Sequence, residues 1–172
     1  MNLVLIGYRG TGKTTVGRLL AAELGMPYVS IDEEIVKRVA LGIPEMVGRY
    51  SWEYFRDREE EAVATLAGRD GQVLDTGGGV VTRPVNIERL KKNGLVFLLE
   101  AELSDIVARI GSDTQRPSLT GTKSFTEEAA EVLAHRTPLY RAAADHAVNT
   151  SALSPEEAVR QIAAIYRQAN PH

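Results

Sequence analysis

At 172 residues the chain is long enough for one well-buried domain and too short for two of ordinary size. Apolar residues make up 44% and charged residues 25%, which suits a packed globular fold and excludes a disordered one. Lys plus Arg number 20 against 23 for Asp plus Glu, a net charge of −3 that argues against nucleic-acid or membrane-surface binding; without Cys there is no disulfide, thiolate metal site or cysteine nucleophile. The opening Met1-Asn2-Leu3-Val4-Leu5-Ile6 has no basic lead-in, so no signal peptide is expected. No stretch approaches the ~18 apolar residues of a membrane span. The expectation is a cytoplasmic protein, and a monomer.

Leu3-Val4-Leu5-Ile6 is a continuous apolar run that stops at a glycine, the pattern of a strand buried on both faces. Directly after it, Gly7-Tyr8-Arg9-Gly10-Thr11-Gly12-Lys13-Thr14 fits G-x-x-x-x-G-K-[ST] at every fixed position. By average composition such an octet arises by accident in about 1% of chains of this size or fewer. Val16, Leu19, Leu20 and Leu24 then recur at helical spacing, with Gly25 placed to end the helix. Strand, glycine loop and helix together predict a phosphate cradle. Backbone N–H groups of Gly10, Thr11, Gly12, Lys13, Thr14 and Thr15 converge on phosphate oxygens at the positive end of a helix. Lys13 reaches the terminal phosphates, and the Thr14 hydroxyl is a candidate Mg²⁺ ligand. Tyr8 and Arg9 occupy variable positions and are expected to face solvent.

The rest of the chain alternates short apolar runs with amphipathic stretches. Further strands are predicted at 27–30, 73–75, 95–99 and 147–148, with helices near 33–40, 51–67, 84–93, 102–110, 126–144 and 155–168. Strands separated by helices predict a parallel sheet covered on both faces. Ser154-Pro155-Glu156-Glu157 is a capping box with proline at the first helical position, and the tail from Gln168 to His172 is expected to fray. Ligands of such sheets bind beyond the carboxyl ends of the strands. The second strand ends at Ser30-Ile31-Asp32 and the third at Asp75-Thr76-Gly77-Gly78-Gly79. Three successive glycines either form an ordinary flexible turn or let a ligand approach the backbone closely. Residues 111–124 are rich in turn formers and predict a lid, whose Arg116 could swing over bound phosphates. Glu59-Glu60-Glu61 reads as a solvated helix face, with Glu59 a weaker candidate for orienting Arg56. His135, His146 and His172 show no ligand spacing.

Several of these motifs together resemble the shikimate kinase family. They are the phosphate loop from Gly7 to Thr14, Phe55-Arg56-Asp57-Arg58-Glu59-Glu60, Leu74-Asp75-Thr76-Gly77-Gly78-Gly79, Arg116-Pro117-Ser118-Leu119 and Arg136-Thr137-Pro138-Leu139-Tyr140. They appear in family order, and the resemblance covers essentially the whole chain. It implies an α/β P-loop nucleoside-kinase-like three-layer fold, a single domain spanning 1–172 with a five-stranded parallel sheet. Residues 32–60 would form a substrate-binding helical segment and 111–124 a mobile lid. It also implies transfer of the ATP γ-phosphoryl group to the 3-hydroxyl of shikimate, on the way to chorismate and aromatic amino acids, with Mg²⁺ as cofactor.

In the implied roles Arg56 and Arg136 clamp the substrate carboxylate, a task suited to the planar guanidinium fork. Gly77, Gly78 and Gly79 contact substrate. Asp32 binds the reacting hydroxyl and takes or orients its proton. Lys13 and Arg116 neutralise charge on the transferring group, and Arg109 and Pro155 fall where the family sandwiches adenine. Two departures stand out. The family's Asp-x-Asp on the second strand is here Ser30-Ile31-Asp32, while Asp75 takes a position where the family more often has a small residue. Asp75 either supplies beside Mg²⁺ the carboxylate that Ser30 lacks, or merely caps the turn before the glycines. Tyr50-Ser51-Trp52-Glu53-Tyr54 replaces the usual Gly-Glu pair; Trp52 either reshapes the substrate pocket or packs outside it. A kinase for another small acid or polyol such as gluconate, and a nucleotide-binding regulatory module, are the alternatives.

Overall fold

Alternation along the first strand sets the architecture. In β1 (Asn2–Ile6) Leu3 and Leu5 join one apolar core and Val4 and Ile6 another, all four fully buried. A strand apolar on both faces needs a layer of helices on each side. The structure, a computed structural model, describes residues 1–111 and 124–171. Arg116 and nearly all of the expected lid therefore lie outside the described residues, as does His172.

The chain runs through α1 (Lys13–Leu24), β2 (Tyr28–Ser30), α2 (Ile31–Val39), α3 (Ile43–Arg49), α4 (Trp52–Leu66) and β3 (Val73–Asp75). It continues through a 3₁₀ turn (Val80–Thr82), α5 (Pro84–Lys92), β4 (Gly94–Glu100), α6 (Leu103–Ile110), α7 (Phe125–Ala143), β5 (His146–Asn149) and α8 (Pro155–Ala169). The five strands form one sheet in the order β2-β3-β1-β4-β5, with every neighbouring pair parallel. Helices α1 and α8 cover one face, where Leu20, Ile162 and Tyr166 meet Leu3, Leu5 and Phe97. The other helices cover the opposite face, where Phe55, Met46, Ile106 and Tyr140 meet Val4, Ile6, Leu74 and Leu98.

Local sequence signals account for many boundaries. Gly25 ends α1 in the left-handed conformation (φ 65°), its N–H bonded to the Ala21 carbonyl. Ser154 opens α8 through a capping box with Glu157, as its sequence predicts. Helix α3 falls within the segment the resemblance makes helical but has no local pattern of its own: its seven residues are too few, and what holds it is burial of Ile43 and Met46 against the core. Likewise α8 runs to Ala169, into the tail expected to fray, because Tyr166 is buried and its hydroxyl bonds the Met1 carbonyl. Among the described residues no helix is long and apolar enough to cross a membrane.

Candidate active site

The carboxyl ends of β1, β2 and β3 open onto one cleft of about 380 Å³, lined by Gly12, Lys13, Thr14, Thr15, Ser30, Asp32, Asp75 and Arg109 among others. The loop after β1 is held in shape by its glycines. Gly7 has φ 144°, and a Cβ there would lie 2.5 Å from the Leu99 carbonyl oxygen; Gly12 caps α1 at φ 97°. Lys13 is nearly buried, and its ammonium donates to the carbonyls of Gly7 (2.7 Å) and Tyr8 (3.0 Å). The charge is thereby stored at the mouth of the loop. Tyr8 does not face solvent as expected: it is 3% exposed and packs in the core, because the chain entering the loop still runs beneath α7.

A second strap was not visible in the sequence. The Thr150 hydroxyl, just past β5, donates to the Thr11 carbonyl at 2.8 Å. Arg109 on α6 donates to the Thr150 carbonyl (3.1 Å) and to the Gly10 carbonyl (3.0 Å). These bonds tie the phosphate loop to the far edge of the sheet. Arg109 is thus anchored where the glycine loop borders the cleft, and Pro155 begins α8 five residues beyond Thr150.

The three glycines after β3 form the other half of the site. A Cβ on Gly77 would sit 2.9 Å from Asp32 Oδ1 and 2.8 Å from Glu59 Oε2; one on Gly78, 3.7 Å from Arg136 Nη1; one on Gly79, 2.1 Å from Arg56 Nη2. The same Gly78 position lies 3.6 Å from the Gly7 carbonyl oxygen, the acceptor that holds Lys13. Asp32, Arg56 and Arg136 therefore converge on one glycine floor beside the phosphate loop. At Gly77 and Gly79 the missing side chain is a packing requirement of Asp32, Glu59 and Arg56, whereas a Cβ on Gly78 would meet only ordinary van der Waals contacts. Adding one methyl group should show it: in Gly79→Ala the Arg56 guanidinium must move. We expect about a tenfold or larger loss of affinity for a small carboxylate, from loss of a charge-assisted hydrogen bond, measured by calorimetry.

Glu59 overturns the reading of a solvated acidic face. It is fully buried, and its carboxylate accepts from Arg56 Nη1 at 2.9 Å, one turn earlier on α4. Burial raises its pKa above the usual carboxylate range against the pull of Arg56, and then of Arg136 and Arg83. A glutamate at i+3 from an arginine is a common surface pair, so only the direction of this face of α4 reveals it as the brace of the clamp. Trp52 supports the same guanidinium from another side, its ring centroid 5.5 Å from the Arg56 central carbon and edge-on to Phe55. On α7, Arg136 is 9% exposed, and Tyr140, one turn on, donates its buried hydroxyl to the Gly78 carbonyl. Burial pushes that hydroxyl up to about 12, so it stays a donor.

Ser30 and Asp75 sit side by side where the second and third strands end at the cleft. The two are register partners on β2 and β3, and Asp75 also pairs with Leu5 on β1. The Thr14 hydroxyl donates to Asp75 Oδ2 at 3.0 Å, and the Tyr28 hydroxyl donates to the same oxygen at 2.6 Å. Burial, and then the carboxylate it bonds, raise the Tyr28 pKa well beyond the ordinary tyrosine range. The Ser30 hydroxyl instead caps α2 by accepting from the Glu33 N–H. The donors here, a hydroxyl and carboxylates, are hard oxygens suited to Mg²⁺. Among the described residues no group of three His, Cys, Asp or Glu side chains could cage a metal alone.

A parallel five-stranded sheet with a glycine-lysine phosphate loop after its central strand, facing a pair of arginines across a glycine floor, defines a P-loop phosphotransferase acting on a small anion. A shikimate kinase family model matches residues 9–167. The chain is 41% identical over 167 residues to the shikimate kinase of Thermodesulfovibrio yellowstonii, covering 97% of this chain and 95% of that one. It is 44% identical over 172 residues to that of Syntrophus aciditrophicus, covering 94% and 88%. Shikimate kinase from Acinetobacter baumannii, solved in complex with shikimate, superposes with a TM-score of 0.92 at 32% identity, over 99% of this chain and 95% of that one. The chain belongs to the shikimate kinase family, and it is a kinase.

Proposed function

We propose that the protein transfers the γ-phosphoryl group of ATP to the 3-hydroxyl of shikimate, giving shikimate 3-phosphate and ADP. The observation that carries the reading is the convergence of Arg56, Arg136 and Asp32 on Gly77–Gly79 beside the loop that holds Lys13. Two guanidiniums fit a carboxylate, and Asp32, in the first turn of α2, is poised for the hydroxyl. In the step, the hydroxyl oxygen bonds to the γ-phosphorus while the bond to the β,γ-bridging oxygen breaks. The hydroxyl proton passes to Asp32 and on to solvent.

The described residues take tasks that suit their surroundings, and the assignment of Arg116 rests on the family resemblance alone. Backbone N–H groups from Gly10 to Thr15 bind phosphate, and Lys13 turns from the Gly7 and Tyr8 carbonyls to the terminal phosphates. Arg109 and Pro155 flank the base, and Arg116 is assigned to charge on the transferring group. Thr14 would ligate Mg²⁺ with Asp75 behind it, while Ser30 remains a helix cap. When bound, Mg²⁺ offsets the charge of the β- and γ-phosphates. We assign 32–60 to substrate binding and 111–124 to the lid of a single domain. We infer a working form that is a monomer in the cytoplasm.

A coupled ADP-release assay tests the reading, with shikimate or gluconate as acceptor and with or without Mg²⁺. Shikimate- and Mg²⁺-dependent ADP release is expected. Binding of ATP and Mg²⁺ without transfer to shikimate would favour a regulatory module, and transfer to gluconate alone would name a different acid.

A further inference from the structure

We propose that Tyr28 is a positioning residue for the metal–nucleotide end of the site: its hydroxyl holds the Asp75 carboxylate where it accepts the Thr14 hydrogen bond. This rests on the proposed function, which makes Thr14 the Mg²⁺ ligand. A threonine hydroxyl has one proton and two lone pairs. To present lone pairs to a cation it must send its proton elsewhere, and Asp75 Oδ2, 3.0 Å away, is the acceptor. A carboxylate on a single rotatable stem serves this role only if it is oriented. Tyr28, donating to that same oxygen at 2.6 Å, supplies the orientation.

The surroundings are shaped for this phenol. Tyr28 lies on β2, whose neighbouring residue Ser30 pairs in register with Asp75. Its ring lies against α1 at Gly17, where a Cβ would come within 3.0 Å of ring atom Cε2. Glycine weakens the interior of a helix, so its place at the contact with this ring has a packing reason. The Arg18 guanidinium covers the ring with its central carbon 5.3 Å from the centroid. Ring, hydroxyl, carboxylate and threonine form one line from α1 to the phosphate loop. The line explains how a carboxylate displaced from β2 to β3 can still serve Thr14.

The test is titration calorimetry with ADP, with and without Mg²⁺. In Tyr28→Phe, ADP affinity without metal should stay within about twofold, while the tightening brought by Mg²⁺ shrinks by about tenfold. In an Asp75→Asn background, Tyr28→Phe should add no further loss, because the two residues act in series. Gly17→Ala, which leaves the hydroxyl but crowds the ring, should shift the Mg²⁺ effect in the same direction; it carries the comparison if Tyr28→Phe does not fold. An undiminished Mg²⁺ effect, equal weakening with and without Mg²⁺, or additive losses with Asp75→Asn would each overturn the proposal. No shikimate is present in these titrations, so their failure leaves the phosphoryl-transfer reading intact, and failure of the shikimate assay leaves these results intact.

Discussion

Asp32→Asn should lower kcat by a factor of about 10²–10⁴, the usual loss when a positioned general base is removed. Asparagine keeps the shape and can still meet the substrate hydroxyl, but its amide does not accept the proton. KM for shikimate should therefore change little. ADP affinity should hold as well, because the phosphate contacts of the cradle come from the loop backbone and Lys13. Stopped-flow turnover together with ADP calorimetry separates the two quantities. Equal losses in both would mean that Asp32 shapes the cleft rather than serving the transfer. Its setting favours the catalytic outcome: it sits in the first turn of α2, where the helix N-terminus stabilises negative charge, and its carboxylate faces the glycine floor.

Arg136→Ala should raise KM for shikimate by about 100-fold with a smaller effect on kcat, the signature of lost binding shared by ground and transition states. The guanidinium is nearly buried beside Gly78, so water cannot replace it as it would on the surface. Arg136→Lys should recover only part of the loss, since an ammonium cannot form the paired bonds of a planar fork. The remaining clamp residue, Arg56, is held by Glu59, so its orientation should survive the change. Steady-state kinetics on both variants, with thermal unfolding to monitor the fold, makes the comparison. An unchanged KM in Arg136→Ala would remove Arg136 from the clamp and leave the carboxylate to Arg56 alone.

Taken together, the site couples two rigid halves across the carboxyl ends of the central strands. One half is the phosphate loop, tied through Thr11, Thr150 and Arg109 to the β5 edge. The other is the glycine floor, against which α2, α4 and α7 each set one functional side chain. Neither half depends on a long exposed ion pair, the kind of contact that salt readily weakens. Buried braces hold it in place instead: Glu59 bonds Arg56 and Tyr140 bonds the Gly78 carbonyl, while the half-buried Tyr28 bonds Asp75.

What the sequence alone determined is what contiguous residues encode. The apolar run, the G-x-x-x-x-G-K-T octet and the helical spacing after it lie within 24 residues, so strand, cradle and helix are readable from local rules. Asp32, Arg56 and Arg136 could be named as candidates from short motifs that resemble a family's, but not their convergence on one glycine floor. Tertiary structure alone decided the partners. Thr14 and Asp75 lie 61 residues apart, and Thr11 and Thr150 lie 139 apart, distances over which no periodicity carries information. It also decided which members of a run are buried: Glu59 lies inside while Glu61 is exposed, and Tyr8 packs inward from a loop whose neighbours face the cleft. The physical reason is the same in each case. The packing of whole elements, which decides the direction each helix face or loop residue points, sets whether a side chain meets water or a protein group.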